Sequence, residues 1–430
     1  MSHYLYSILL IFIISTLLFG SLIKYYYDGG KKYLKIIKIV LFLANIPLII
    51  NHIINNRSIN PKKPPILTKH KEKKRFHQFI KNNREGLLVL PRYDHSLSRA
   101  VVDVIDLNEF KIIHTYKHNI ASTSKNSDLI RFGYYHPLIF DDGSLISEST
   151  YSPLFKIDFQ SNMQWTNDEI VFHHSKARDH ENNIWIPARL KPFSKYVKKF
   201  QHPINDFRDD AIVKINSEGK ILFKKSMIEI LIENKKGDMI NRLKKTVSDP
   251  IHLNCIEPAL SDTNHWNKGD LFLSLKHHSA IILYRPIENK IIDYIIGPFA
   301  QQHDVDIVSN NEISIFNNNN FFLDNEFSEV LIYNFKTKQF KKLFNEQIKK
   351  ESFKVSSSGM SQILNDGSLM VEEQTDGRII LFNNRGEKEW EFVNKDKNGN
   401  IGEISWSRII EDKLFIEKFK LLIENKKSIN

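Results

Sequence analysis

The sequence predicts an all-β chain, a six-bladed β-propeller that follows an N-terminal transmembrane helix. Three observations carry this expectation. Stretches 135–146, 172–185, 302–315 and 358–370 begin and end alike, and 251–274 joins them with an insertion. Each reads as an apolar strand, a tight turn rich in Asn, Asp or Gly, and a second apolar strand. Their starts lie about 40 to 80 residues apart, a period at which each repeat is one blade. Histidines recur near those starts, at His136, His173, His174, His252 and His303. Finally, Tyr4–Ile23 is a run of 20 residues without a charge.

That run is long enough to cross a bilayer as a helix. No basic segment followed by a small-residue cleavage site accompanies it, so a retained anchor is expected. A second apolar stretch, 36–54, is interrupted by Lys38, Asn45 and Pro47. It reads as a second span or as an interfacial helix. Two spans would hold the propeller in the cytoplasm by the positive-inside rule, and one span lets it face outward. The domain plan is an anchor over 1–60, a basic linker over 61–85, the propeller over 86–418 and a tail over 419–430.

The net charge is +11, and Lys62, Lys63, Lys69, Lys71, Lys73, Lys74, Arg75, Lys81 and Arg84 supply much of it. The run predicts a solvated linker near lipid headgroups. It has neither interleaved aromatics nor a second basic face, so no nucleic-acid partner is expected. The one cysteine, Cys255, excludes an intramolecular disulfide and reads as a small core residue. After the anchor, roughly 350 residues remain, which suits six blades of about 40 to 50 residues plus loops.

Short apolar runs place the blades in order. Blade 1 takes 86–91, 101–106 and 111–116. Blade 2 runs from His136 through 154–158 to Trp165. Blade 3 starts at His173 and His174, resumes at 211–216 after an insertion over 191–210, and ends at 219–223. Residues 226–245 read as helix. Blade 4 runs from His252 through 280–284 to 290–295, blade 5 from His303 through 330–334 to 339–344, and blade 6 from Gly359 through 377–382 to 389–392. Residues 404–410 and 413–416 would add a strand pair beside blade 1 and close the ring, leaving no open edge. Trp165 and Trp390 occupy equivalent places and predict packing between blades.

The first strand of each blade lines the central channel, so residues at one repeat position meet at the axis. His136, His174, His252 and His303 are expected to converge there. Gathering four imidazoles is unfavourable when they are protonated, unless an anion or a proton-transfer task compensates. Asn254 lies two residues past His252 and Lys276 on the neighbouring strand. Lysine, amide and imidazoles together suit an oxyanion. Three imidazoles with an open position also suit zinc, but ligands from separate blades give no local spacing, and no metal is expected. Gly-rich phosphate loops, nucleophile elbows and paired-cysteine motifs are absent from the sequence, and no cofactor is expected.

Several of these segments together resemble the bacterial arylsulfate sulfotransferase family: Phe172–His174, Asp249–Asn254, Gly269–Ile281, Gln302–Asp304, and Ser358–Gly359 with 365–367 and 377–379. The likeness extends over about 87–415. It implies a six-bladed, usually exported propeller that moves a sulfuryl group from an aryl sulfate donor to a phenolic acceptor, independently of nucleotide sulfates. By motif position it implies a sulfohistidine at His303, with His252, Asn254 and His174 in the same pocket; with the residues read above, His303, His252, His174 and Lys276 are expected in catalysis and Asn254, His173 and His136 in substrate binding. The chain departs from the family at Lys276, where arginine is usual, and at Ser175, where an acid follows the histidine pair. Lysine keeps the charge but loses the planar two-point grip. The resemblance also implies a propeller outside the cytoplasm, tied to membrane lipid by its anchor. The alternative is an anchored binding propeller without chemistry. A homodimer is compatible with either.

Overall fold

The computed structural model describes residues 2–27, isolated positions between 35 and 46, and 64–81, 84–119, 131–150, 152–199, 207–241, 248–320 and 327–429. The chain divides into two compact units, Met1–Pro61 and Lys62–Asn430. In the first, Ser2–Tyr27 is one α-helix, and Tyr6–Tyr25 is apolar and long enough to cross a membrane. A membrane anchor and a signal sequence both fit it. Most of the second apolar stretch, 36–54, lies outside the described residues.

The second unit is a six-bladed β-propeller, with six separate antiparallel sheets. Blade 1 is Arg408–Ile410, Leu87–Asp94, Arg99–Asp106 and Lys111–Tyr116. Blades 2 to 6 follow in chain order, with innermost strands Arg131–Ile139, Ala177–Arg178, Leu253–Pro258, His303–Ser309 and Met360–Ile363. Blade 3 has a split inner edge, because Val171–Phe172 and Ala177–Arg178 both pair with Ile184–Arg189.

Strands alternate their side chains across two faces, so each sheet offers an apolar face to both neighbours. The core is accordingly six clusters around the ring, each shared by two adjacent blades. Cys255 sits buried between blades 4 and 5. Trp165 of blade 2 packs on Gly219 of blade 3, where a Cβ would come within 2.8 Å of the indole. Gly219 also has φ +78°, a conformation that glycine adopts without cost. Trp390 of blade 6 meets Phe110 of blade 1 edge-on at 5.6 Å.

Three expectations change. The closing pair beside blade 1 is a single strand: Arg408–Ile410 pairs with Leu87–Val89, but Lys413–Ile429 is an α-helix. Its Phe415, Ile416, Phe419, Leu422 and Ile423 recur at helical spacing and pack between blades 1 and 2. Residues 226–245 form two short helices, Met227–Glu233 and Asp238–Asn241, with 242–247 outside the described residues. Lys235 at φ +60° ends the first. The basic segment is no free linker, because Phe76–Gln78 adds a fifth strand to blade 6, paired with Trp390–Phe392. Its cations find buried acids: Lys69 and His70 meet Glu373 at 2.7 and 2.9 Å, Lys73 meets Glu391 at 2.6 Å, and Arg84 meets Glu389 at 2.9 Å.

Candidate active site

Each inner strand carries, within it or shortly before it, a residue in the left-handed region: His136 (φ 42°), His174 (63°), His252 (54°), Asp304 (44°), Gly359 (87°) and Trp406 (56°). Such backbone costs about 1–3 kcal/mol in a non-glycine residue and persists where the surroundings over-determine it. His303 is one residue out of this phase. In blade 4 the ladder starts at Leu253 with Leu275 and then bulges before Cys255. In blade 5 it starts at His303 with Phe316 and bulges before Val305. His303 opens its own ladder, whereas His252 precedes its ladder by one residue, so the shared repeat position expected for it does not hold.

The imidazoles still gather. His174 lies with ring centroids 5.4 Å from His252 and 6.4 Å from His303. His173 is beside it, Nδ1 to Nδ1 at 2.6 Å, so one ring donates and the other accepts. Burial pushes both of this pair below the ordinary imidazole pKa, and for His174 the neighbouring imidazoles add to the effect. The site is thus built to hold neutral rings.

His303 is 1% exposed. Its Nδ1 lies 2.6 Å from Asn318 Oδ1. The Asn318 amide cannot be reversed, because its Nδ2 donates to Val355 O and Ser358 O, both at 2.8 Å. His303 Nδ1 therefore carries the proton, and Nε2 keeps the lone pair. Burial, reinforced by the charge of Lys276, pushes His303 well below its ordinary value.

His252 donates from Nδ1 to Asp249 Oδ2 at 2.7 Å, and Arg208 Nη1 reaches the same carboxylate at 2.7 Å. His277 Nδ1 donates to the Asp249 backbone carbonyl at 2.7 Å. Burial raises the Asp249 pKa, but the His252 hydrogen bond and the surrounding cations outweigh it and hold the carboxyl well below its usual range. Asp249, His252 and His277 each place a ligand-type atom within 4.8 Å of the others. All three are already committed to one another, and Arg208 balances the carboxylate.

A cavity of about 350 Å³ opens over this cluster, lined by His173, His174, His252, Arg189, Arg208, Tyr135 and Trp406 among others. His303, Lys276, Asn254 and His136 stand behind this lining. Lys276 is 8% exposed and lies in the turn Lys276–His278, its Nζ 3.4 Å from Ser357 Oγ. Burial lowers its pKa against the pull of Asp249. Asn254 is the bulge residue, and its Nδ2 donates to Gln302 O at 2.8 Å. His136 is buried and stacks at 3.5 Å on Trp406, a residue of the cavity lining to which His136 itself does not belong. Ser175, in the place of the family's acid, accepts from the Ile256 amide at 2.9 Å and joins blades 3 and 4.

Sequence reasoning missed Asp249, Asn318, Arg189, Arg208, Asp210 and the buried pair of Lys176 and Glu148. Asp249 stands three residues before His252, a spacing that was on the page. Asn318 had no such signal, since it reaches His303 from just past the end of the neighbouring strand of the same blade.

Fold and site together define a β-propeller centred on buried, neutral histidines. The arylsulfotransferase (ASST) family model matches residues 123–395, well over half of the chain, and the chain belongs to that family. No curated protein matches it. Among solved structures, a protein of unknown function from Bacteroides caccae shares 11% identity over 76% of this chain and 100% of its own, with a TM-score of 0.49. Virginiamycin B lyase from Staphylococcus aureus shares 12% over 60% of this chain and 69% of its own, at 0.35. A chain of a nidogen/laminin complex shares 8% over 75% and 98%, at 0.44. At these scores the six sheets themselves, not the likenesses, define the architecture.

Proposed function

We propose that this chain transfers a sulfuryl group from an aryl sulfate ester to a phenolic acceptor through a sulfohistidine on His303. The observation that carries the reading is the fixed tautomer of His303, whose Nδ1 is spent on Asn318 so that Nε2 is a nucleophile without prior deprotonation. Nε2 bonds to sulfur as the aryl S–O bond breaks, and the electron pair leaves on the phenolate. His252, oriented by Asp249, or His174 gives the leaving oxygen a proton. In the second half the same ring takes the acceptor's proton, the phenoxide oxygen bonds to sulfur, and the N–S bond breaks to restore His303. The charge on the sulfuryl oxygens is spread in a loose transition state, by analogy with phosphoryl transfer, and Lys276 stands close enough to His303 to stabilise it.

The test is a chromogenic aryl sulfate with and without a phenol. Acceptor-dependent release with ping-pong kinetics is expected. His303→Asn should lower transfer by roughly 10³-fold or more while the fold persists; transfer at the parental rate removes His303 as nucleophile.

The burial of His303 behind the cavity favours a second reading, an anchored propeller that binds a ligand without chemistry. It predicts saturable binding and no release across varied donors. In either case we place the propeller on the extracytoplasmic side, tethered by the Tyr6–Tyr25 helix. Protection of the propeller from protease added to intact cells would reverse that placement.

A further inference from the structure

Arg189 ends the second strand of blade 3, Ile184–Arg189, and lines the cavity. Among the described residues its guanidinium makes no hydrogen bond, and its Nε is buried without a partner. The nearest acid is Asp210, 3.7 Å from Nε to Oδ1, which balances charge without a hydrogen bond. Asp210 accepts from the Leu253 amide through Oδ2 at 2.8 Å, and its Oδ1 faces Arg189 and His173 Nε2, the latter at 3.5 Å. With Nε turned to Asp210, the two Nη groups of this cavity-lining residue keep four donors without a hydrogen bond among the described residues. Arg208, on the same lining, gives Nη1 to Asp249 and keeps its side chain 35% exposed. Tyr135 and Trp406 add aromatic surface, the Trp406 ring 6.1 Å from that of His174. His303 and Lys276, the residues assigned to the sulfuryl group, stand outside this lining.

We infer that Arg189, seconded by Arg208, recognises an oxyanionic substituent on the aromatic substrate, separate from the group being transferred. The ligand class is a phenol or aryl sulfate that bears a carboxylate or further sulfate. A guanidinium matches such a group with two parallel N–H donors, and a ring lies against the aromatic surface. The inference rests on the transferase reading for the word substrate, but not for the binding.

The test compares 4-hydroxyphenylacetate with its methyl ester as acceptors, phenols of similar acidity that differ in the anionic group. The parent protein should prefer the acid in kcat/KM by about 10-fold or more, and Arg189→Ala should shrink that preference by about 10- to 100-fold, the range of one charge-assisted contact. Arg189→Lys should fall between, since it keeps the charge and loses the fork. Equal use of acid and ester by the parent, or a preference that survives Arg189→Ala, overturns the inference and leaves the transferase standing. Where neither acceptor is used, calorimetric titration with 4-hydroxyphenylacetate decides: saturable binding lost in Arg189→Ala and weakened in Arg189→Lys upholds the anion site without the transferase, and binding that survives Arg189→Ala overturns it. No binding by the parent overturns the site. A thermal midpoint for each variant identifies one that has merely unfolded, in which case Arg189→Lys carries the comparison.

Discussion

Asn318 decides which nitrogen of His303 holds a proton, and Asp249 does the same for His252. Both act through geometry, not contact with a reacting atom, and this separates them from the histidines they orient. Replacing Asp249 by Asn keeps an acceptor for His252 but removes the charge that balances imidazolium and Arg208. We expect kcat to fall about 10- to 100-fold, the usual cost of losing an orienting carboxylate, with KM for the aryl sulfate within about threefold. Steady-state kinetics with a matched thermal midpoint check this, and an equal rise in KM would mark Asp249 as a structural residue only. The histidines were legible because a repeat repeats its chemistry. Of their partners, Asp249 stood in reach of His252 by spacing, but Asn318 did not announce itself, because it meets His303 only through the pairing of two strands. Asn254 shows a second limit: two residues past His252 implied a shared face, and the bulge removed that equivalence.

At the scale of elements, the strand Phe76–Gln78 changes the reading of a whole basic segment. Phe76 stacks on Phe110 at 3.6 Å and stands 6.2 Å from Trp390, so it fastens blade 6 to blade 1. Phe76→Ala should destabilise the propeller by about 2 kcal/mol, with His77→Ala, on the exposed side, within about 0.5 kcal/mol. Urea midpoints of the two variants check it, and equal midpoints would return the segment to a loose tether. A count of Lys and Arg could not foresee this, because the pairing acids Glu373, Glu389 and Glu391 lie about 300 residues away in sequence. The C-terminal helix was readable in principle. Phe415, Phe419 and Leu422 keep a period of three to four, but the four residues 413–416 alone also suit a strand.

Over the whole molecule, the blade count and order were legible, since every blade repeats strand, turn and apolar spacing. How the ring closes was only half legible, because a seam depends on which termini reach it. The inner rim also carries a buried ionic group that no pattern announces. Burial beside Asp304, against the pull of Arg408, pushes Asp306 on the inner strand of blade 5 up to about 7. A carboxyl with a raised folded pKa binds a proton that the unfolded chain has released, so it favours folding at low pH and loses that contribution as pH rises through about 7. Asp306→Asn should raise the thermal midpoint at pH 8 by about 2 °C or more, and by clearly less at pH 5. A gain of the same size at both values would show that ionisation is not the cause. The seam has a mechanical consequence. Tension arriving from the N-terminal side meets first the Leu67–Ile401 bridge and the contacts of Lys69, His70 and Lys73, then Phe76–Gln78 on the outer edge of its sheet, and only afterwards Leu87–Val89, which is gripped between two strands. The outer edge strand can come away while the ring stays shut, so load on the N-terminal side need not reach the histidine centre.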